Sequence, residues 1–189
     1  MNYHKTSKLL PLIGLIGILI ILISCVNKNQ SVEQVEIPKD WKTLENANYS
    51  IQYPDSFELN TLGEMGLSFI LLSKQTSPSD LFRENINLII QDLTNQNINL
   101  DKFVKISEGQ ITTMFKNATI NENKRIIKED SEFHVMSFSG IQGQFNLKFV
   151  QYYWIVDQKA YVLTFTCEQT QYDHYKEIGD KIMNSFKVK

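Results

Sequence analysis

The 189-residue sequence predicts an α+β domain with a mainly antiparallel sheet and helices on both faces of it. Three observations carry this. β-type and helical runs follow one another as strands, helix, strands, helix rather than in regular βα alternation. Two strongly β-prone runs flank the tight polar turn Asp157-Gln158, which reads as a hairpin. The run from Phe145 to Val156 is apolar on both parities: Phe145, Leu147, Phe149, Tyr153 and Ile155 on one, and Val150, Tyr152, Trp154 and Val156 on the other. A strand apolar on both sides is covered on both sides.

Taken in order, the chain opens with a segment that stands apart from this domain. Lys5 and Lys8 precede a charge-free run from Leu9 to Ile23, and Ser24-Cys25 follows, the three parts of a secretory signal. As a helix of ~1.5 Å per residue the run reaches about 22 Å, short of the ~30 Å hydrocarbon core. Pro11, Gly14 and Gly17 weaken it further, so cleavage is expected. Leu22-Ile23-Ser24-Cys25 resembles a bacterial lipobox, which makes residues 1–24 a lipoprotein signal peptide and Cys25 the lipid-bearing first residue of the mature chain. Two or more acyl chains, at ~0.8 kcal/mol per buried CH₂, hold a protein on a bilayer where one chain does not. Residues 25–40 are polar and aperiodic and read as a lipidated flexible tether.

The domain spans 41–189. Trp41 to Leu44, Tyr49 to Tyr53, Ser68 to Leu72 and Asn85 to Gln91 read as strands, with a stop at Pro54-Asp55-Ser56 and a loop over Gln75 to Asp80. Leu100, Phe103, Val104, Ile111, Met114 and Phe115 share one side of a 3.6-residue helix, with Lys102, Lys105, Gly109 and Lys116 opposite and Asn99 as N-cap. Thr119 to Ile120, Arg125 to Lys128, Phe133 to Ser139, Phe145 to Val156 and Ala160 to Cys167 read as further strands, with a turn at Gly140 to Gly143. Gln171 to Phe186 reads as a second helix capped by Thr170, with Gly179 on its inner stripe, where a missing Cβ allows close approach to the sheet.

Composition narrows the function classes. The chain has 19 Lys+Arg against 21 Asp+Glu; without Lys5 and Lys8 the mature remainder carries 17 − 21 = −4. With Arg83 and Arg125 as its only arginines it lacks the basic stripe that nucleic-acid binding requires. Of its two cysteines, Cys25 is consumed by lipid, which leaves Cys167, in an apolar strand, as a small buried hydrophobe. No G-x-S-x-G elbow, phosphate loop or H-E-x-x-H is present.

Several segments together resemble the PsbP family, the extrinsic subunit of photosystem II and its bacterial relatives. They are NYSIQYPDSF (48–57), FRENINLIIQDL (82–93), LDKFVKISEGQI (100–111), QYYWIVDQKAYVLTFTC (151–167) and YDHYKEIGDKIMNSF (172–186), which closes in Ser-Phe. The resemblance implies an α-β-α sandwich and a family of non-enzymatic accessory and binding proteins, some of them lipoproteins. Nothing in the sequence demands a photosystem.

The expectation is therefore a non-enzymatic, membrane-anchored lipoprotein of the bacterial cell envelope with a PsbP-like domain. It binds the membrane through Cys25 and has an unknown protein partner, with no catalytic residues, cofactor or metal. Tyr152, Tyr153 and Trp154 are the candidate protein-binding residues, with a core role open to them as well. The alternative is a metal- or small-ligand-binding lipoprotein using His134, His174 and nearby carboxylates.

Overall fold

The computed structural model describes residues 38–128 and 131–189. The readings of the signal peptide, of Cys25 and of the tether up to residue 37 lie outside the described residues. Among the described residues, ten strands and two α-helices follow one another as β1 (Lys42–Glu45), β2 (Tyr49–Tyr53), β3 (Phe57–Asn60), β4 (Leu67–Ser73), β5 (Asn85–Asp92), α1 (Leu100–Met114), β6 (Lys116–Lys128), β7 (Ser131–Gln142), β8 (Phe145–Val156), β9 (Lys159–Glu168), α2 (Tyr172–Ser185) and β10 (Lys187–Val188). Seven strands form one antiparallel sheet in the order β3-β4-β5-β9-β8-β7-β6, and β1-β2-β10 form a small second sheet.

Alternation along the central strands builds a core on each face. On one face, Phe133, Val135, Val150, Trp154, Leu163 and Phe165 pack with Ile182, Met183 and Phe186 of α2 and with Tyr49 and Ile51 of β2. On the other, Met136, Phe138, Leu147, Phe149 and Tyr153 pack with Leu100, Phe103, Val104 and Ile111 of α1. The two helices therefore lie on opposite faces, and the fold is the expected α+β sandwich.

Local chemistry explains the elements. Asn99 caps α1 by accepting the Lys102 N–H at 3.0 Å. Asp157 and Gln158 both take left-handed conformations (φ 48° and 58°), the pattern of a two-residue type I′ hairpin. Gly179 sits where an added Cβ would lie 2.7 Å from the Phe165 ring, so the close approach of α2 to β9 depends on glycine. The closing Ser-Phe anchors α2 to the small sheet. Ser185 Oγ accepts the Gln52 N–H at 2.9 Å and donates to the Ile182 carbonyl at 2.7 Å, while Phe186 packs between Tyr49 and Trp154.

Five sequence expectations are corrected. β3 and β10 form where no strand was expected, both being too short to show a period. The fragments at 119–120 and 125–128 belong to one 13-residue strand, β6, an edge strand whose Asn, Glu and Lys content masks its pairing with β7. Gly140 lies inside β7, where an added Cβ would sit 2.8 Å from Phe115 Cβ, and the turn uses Gly143 (φ 60°) instead. Thr170 is not the cap of α2: the helix starts after Gln171, whose carbonyl accepts the His174 and Tyr175 N–H groups at 3.0 and 3.1 Å. Met114 leaves the inner stripe of α1 and is 74% exposed, while Ser107 takes a buried place on it.

Candidate functional site

Tyr152, Tyr153 and Trp154 do not form one surface patch, because successive residues of a strand point to opposite faces. Tyr153 turns under α1, 1% exposed and edge-on to Phe103. Tyr152 and Trp154 turn toward α2, and the Trp154 ring, 8% exposed, is stacked on Phe133 (centroids 5.2 Å apart) and packed against Phe186 (5.1 Å). Burial pushes the Tyr152 and Tyr153 hydroxyls well above the ordinary phenol range. Tyr153 and Trp154 are buried in the two cores, and Tyr152 is half-buried against the α2-side core.

His134 and His174 are not brought together. His134 lies on the α1 side of the sheet, where its Nε2 bonds Asn123 Oδ1, and Asn123 Nδ2 in turn donates to Glu108 of α1. That chain places the imidazole proton on Nε2. Burial and the nearby Arg125 guanidinium push the His134 pKa below its ordinary value. His174 is exposed on α2, across the sheet, so the two imidazoles cannot share an ion whose bonds are ~2.0 to 2.1 Å. Among the described residues no group of three or more His, Cys, Asp or Glu side chains converges as a metal site.

What the structure does bring together is a cleft at one end of the sheet, with a volume of about 840 Å³. The start of α1, the β6–β7 hairpin, the end of β8 and the C-terminal segment each contribute to it. Leu100, Ile155, Val156 and Val188 supply aliphatic wall, and Trp154 and Phe186 form the inner end. A smaller recess of about 50 Å³ shares Lys128, Ser131 and Asn184 with it and is lined besides by Phe133, Tyr152 and Met183. Lys128, Lys187 and Lys189 stand on the rim. Lys189 pairs with Glu45 at 2.6 Å, and the rim carboxylate Glu132 is taken by Arg125 at 2.5 Å. Lys128 and Lys187 take part in no ion pair among the described residues, although Lys128 lies 5.3 Å from the centre of the Phe133 ring.

A second cleft, of about 610 Å³, runs along the outer side of α2 between Trp41, Phe57, Lys74, Tyr175, Ile178 and Lys181. It continues into an acidic annex of about 230 Å³ lined by Asp80, Glu84, Glu168 and His174. Its carboxylates serve the scaffold. Asp80 accepts from the Thr76 N–H and hydroxyl at 3.0 and 2.9 Å, and Glu84, 3% exposed, accepts the Ser73 hydroxyl at 3.2 Å. Burial pushes the Glu84 carboxyl above its ordinary value. Burial also pushes the neighbouring Cys167 thiol far up, so this sulfur is a protonated core group, as its apolar strand suggests.

Sequence reasoning missed Lys128, Lys187 and Phe186 as parts of one site. The signal available was the basic spacing Lys187-Val-Lys189 just after the Ser-Phe of the last helix, but only the tertiary fold places it beside Lys128.

No protein-family model and no curated protein matches the sequence. Solved structures do match in shape. The solution structure of cyanobacterial PsbP from Synechocystis sp. PCC 6803 superposes with a TM-score of 0.62 at 12% identity, over 82% of this chain and 96% of that one. LpqN of Mycobacterium tuberculosis, described as involved in cell envelope biogenesis, gives 0.61 at 11% identity, over 78% and 90%. A Pseudomonas aeruginosa protein of unknown function gives 0.54 at 9%, over 77% and 94%. The chain therefore has the PsbP-like fold that its sequence segments resemble.

Proposed function

We propose that the chain is an exported lipoprotein, held through Cys25 to a membrane of the bacterial cell envelope, whose PsbP-like domain is a non-enzymatic accessory module that acts by binding. The basic, apolar and small-residue parts of residues 1–24 support export, and the fold shared with an envelope-biogenesis protein supports the compartment. A non-enzymatic role is supported by the state of the buried polar groups. Burial pushes the Cys167 thiol far above its ordinary pKa, away from the thiolate a nucleophile needs, and Glu84 is engaged within the scaffold by the Ser73 hydroxyl.

The observation that carries the binding reading is the Trp154–Phe186 cleft, whose volume falls in the ~300–1,000 Å³ range of ligand sites. It favours a ligand held in a concavity over a flat protein-binding patch, because the aromatic residues available for a patch are spent in walling the cleft.

Two measurements test this. Metabolic labelling with a palmitate analogue is expected to mark the wild type and not Cys25→Ala; equal labelling would remove the anchor. Native mass spectrometry of the purified lipoprotein is expected to show a non-covalent adduct that Asn184→Trp, which fills the cleft mouth, displaces. Should the wild type carry no adduct and bind no probe at the cleft, the binding reading fails.

A further inference from the structure

We propose that the domain rests on the bilayer with one particular end, the end at which the chain enters it, and that Leu81 and Met114 are the side chains that enter the lipid surface there. This rests on reading Cys25 as the lipid anchor, and adds which face the anchor turns toward the membrane.

The register of the seven-stranded sheet defines its two ends. Phe57 pairs with Ser73, Asn85 with Thr166, Leu147 with Glu168, Phe145 with Gln142 and Lys116 with Ile141. The starts of β3, β5, β8 and β6 and the ends of β4, β7 and β9 therefore share one end. The opposite end carries the Asp157-Gln158 turn, the β6–β7 hairpin and the Trp154–Phe186 cleft. The chain enters at the first end, where Pro38 and Trp41 line one cleft with Ser56, Phe57, Lys74 and Thr76.

Chain length decides which end meets the bilayer. Cys25 and Pro38 are 13 positions apart, and at ~3.3–3.6 Å per residue that stretch spans at most about 45 Å. β7 and β8 are 12 residues long, which at ~3.3 Å per residue puts the far end of the sheet about 40 Å away. For the far end to touch the same membrane, the stretch would have to run along the domain almost fully extended, at the cost of nearly all its conformational freedom. The near end meets the membrane without that cost.

The surface chemistry of the near end fits lipid. Leu81 and Met114 are 73% and 74% exposed. Each stands on an aromatic base: Phe82, next to Leu81, rests on Phe145 with ring centroids 5.2 Å apart, and Phe115, next to Met114, packs on Phe138 and Phe149. Asp80, on the other side of Leu81, is turned onto the Thr76 N–H and hydroxyl. Among the described residues the exposed charges of this end that lie outside ion pairs are Lys39, Lys74 and Lys116 against Asp40 and Asp173, with Lys148, Asp80 and Glu168 half-buried. Lys28, Glu33 and Glu36 lie between Cys25 and Pro38. The two signs nearly balance, so the contact is apolar and requires no anionic lipid. The far end also exposes Leu62 and Ile127, but Ile127 is followed directly by Lys128, Glu129 and Asp130, charges that a bilayer excludes. In this orientation the Trp154–Phe186 cleft opens away from the membrane and fills from the aqueous compartment.

The test uses the full lipoprotein in vesicles of phosphatidylethanolamine and phosphatidylglycerol that carry a nitroxide on some head groups. A fluorescent label is placed at Gln144→Cys, in the β7–β8 turn of the near end, or at Thr61→Cys, between β3 and β4 at the far end, both exposed. Cys25 is acylated and Cys167 is buried, so the introduced thiol takes the label. The Gln144 label is expected to be quenched and the Thr61 label to keep its intensity. Leu81→Gln with Met114→Gln is expected to remove most of the Gln144 quenching without moving the urea midpoint, because both side chains are exposed. Raising the salt to 1 M, where the screening length is ~3 Å, should leave the quenching unchanged.

Equal quenching at both ends, or stronger quenching at Thr61, would overturn the orientation. Unchanged Gln144 quenching in the Leu81 and Met114 double variant, or its loss in high salt, would overturn the apolar contact. Failure of the wild type to float with the vesicles would overturn the anchor reading and this proposal with it, whereas flotation with no difference between the ends overturns this proposal alone.

Discussion

Replacing glycine by alanine inside each of the two helices is expected to have opposite effects, because one glycine faces solvent and the other faces a buried ring. Gly109 in α1 has nothing within 4 Å of a built Cβ, so Gly109→Ala should gain the intrinsic helix preference of about 1 kcal/mol. Gly179→Ala in α2 gains the same term. Its methyl, however, would lie 2.7, 2.9 and 3.0 Å from three carbons of the Phe165 ring. That ring is 1% exposed and packed in the α2-side core, with no open space to swing into, so either the ring with its core neighbours or the helix must shift. Overpacking of this kind costs about 1–3 kcal/mol. The two variants should therefore differ by about 2 kcal/mol, with Gly109→Ala above wild type and Gly179→Ala below it. For a domain of this size that separates their Tm values by about 4–8 °C. Thermal unfolding followed by circular dichroism, with urea titration as a second measure, reads both. If Gly179→Ala stabilises as much as Gly109→Ala, α2 does not approach β9 through its glycine and the packing argument is wrong.

Two further outcomes follow from the same geometry. Asn99→Ala removes the acceptor of the Lys102 N–H and should destabilise by about 1 kcal/mol, measured as a lower urea midpoint with an unchanged slope; no change would mean that water replaces the cap at no cost. Glu84 has a folded-state pKa raised by burial, so its contribution to stability is fully present below the unfolded carboxylate pKa and is lost as pH rises through the higher folded value. Glu84→Gln, which mimics the protonated form, should therefore match wild type near pH 4 and be the more stable protein at pH 7. A constant difference across that range would show that Glu84 is ionised without penalty.

Features set by neighbours in the chain were legible in the sequence. The α1 stripe, the Asn99 cap, the Asp157-Gln158 hairpin and the inward Gly179 each depend on residues within a few positions of one another, and apart from Met114, which leaves the stripe, each is found where its pattern placed it. Features set by distant pairing were not. β6 is polar and reads as a strand only because β7 supplies its partners, and β10 is two residues long and exists through its pairing with Tyr49 and Ser50. The cleft is the extreme case: its parts come from positions 99–100, 128, 131–132, 154–156, 184 and 186–189, which no local pattern connects. The Tyr152-Tyr153-Trp154 run drew attention as a surface patch because aromatic density is visible in a sequence, whereas the alternation that sends Tyr153 to the opposite core becomes decisive only once both faces of the strand are covered.

The residues that carry the likeness to PsbP are spent on the scaffold. Ser185 closes α2 onto Gln52, Phe186 fills the space between Tyr49 and Trp154, and the Asp157-Gln158 turn fixes the register of β8 and β9. Such positions report that two chains share an architecture, and they can do so at 12% identity because packing needs residue type and not identity at most sites. They carry no information on what is bound. Specificity must then lie where the scaffold imposes least, at the ends of elements. Lys128 at the end of β6 and Lys187 in β10 are exposed and outside both cores. Exchanging those two lysines for glutamates should therefore leave the unfolding free energy within about 0.5 kcal/mol of wild type. A loss of folding in that double variant would show that the rim belongs to the scaffold after all.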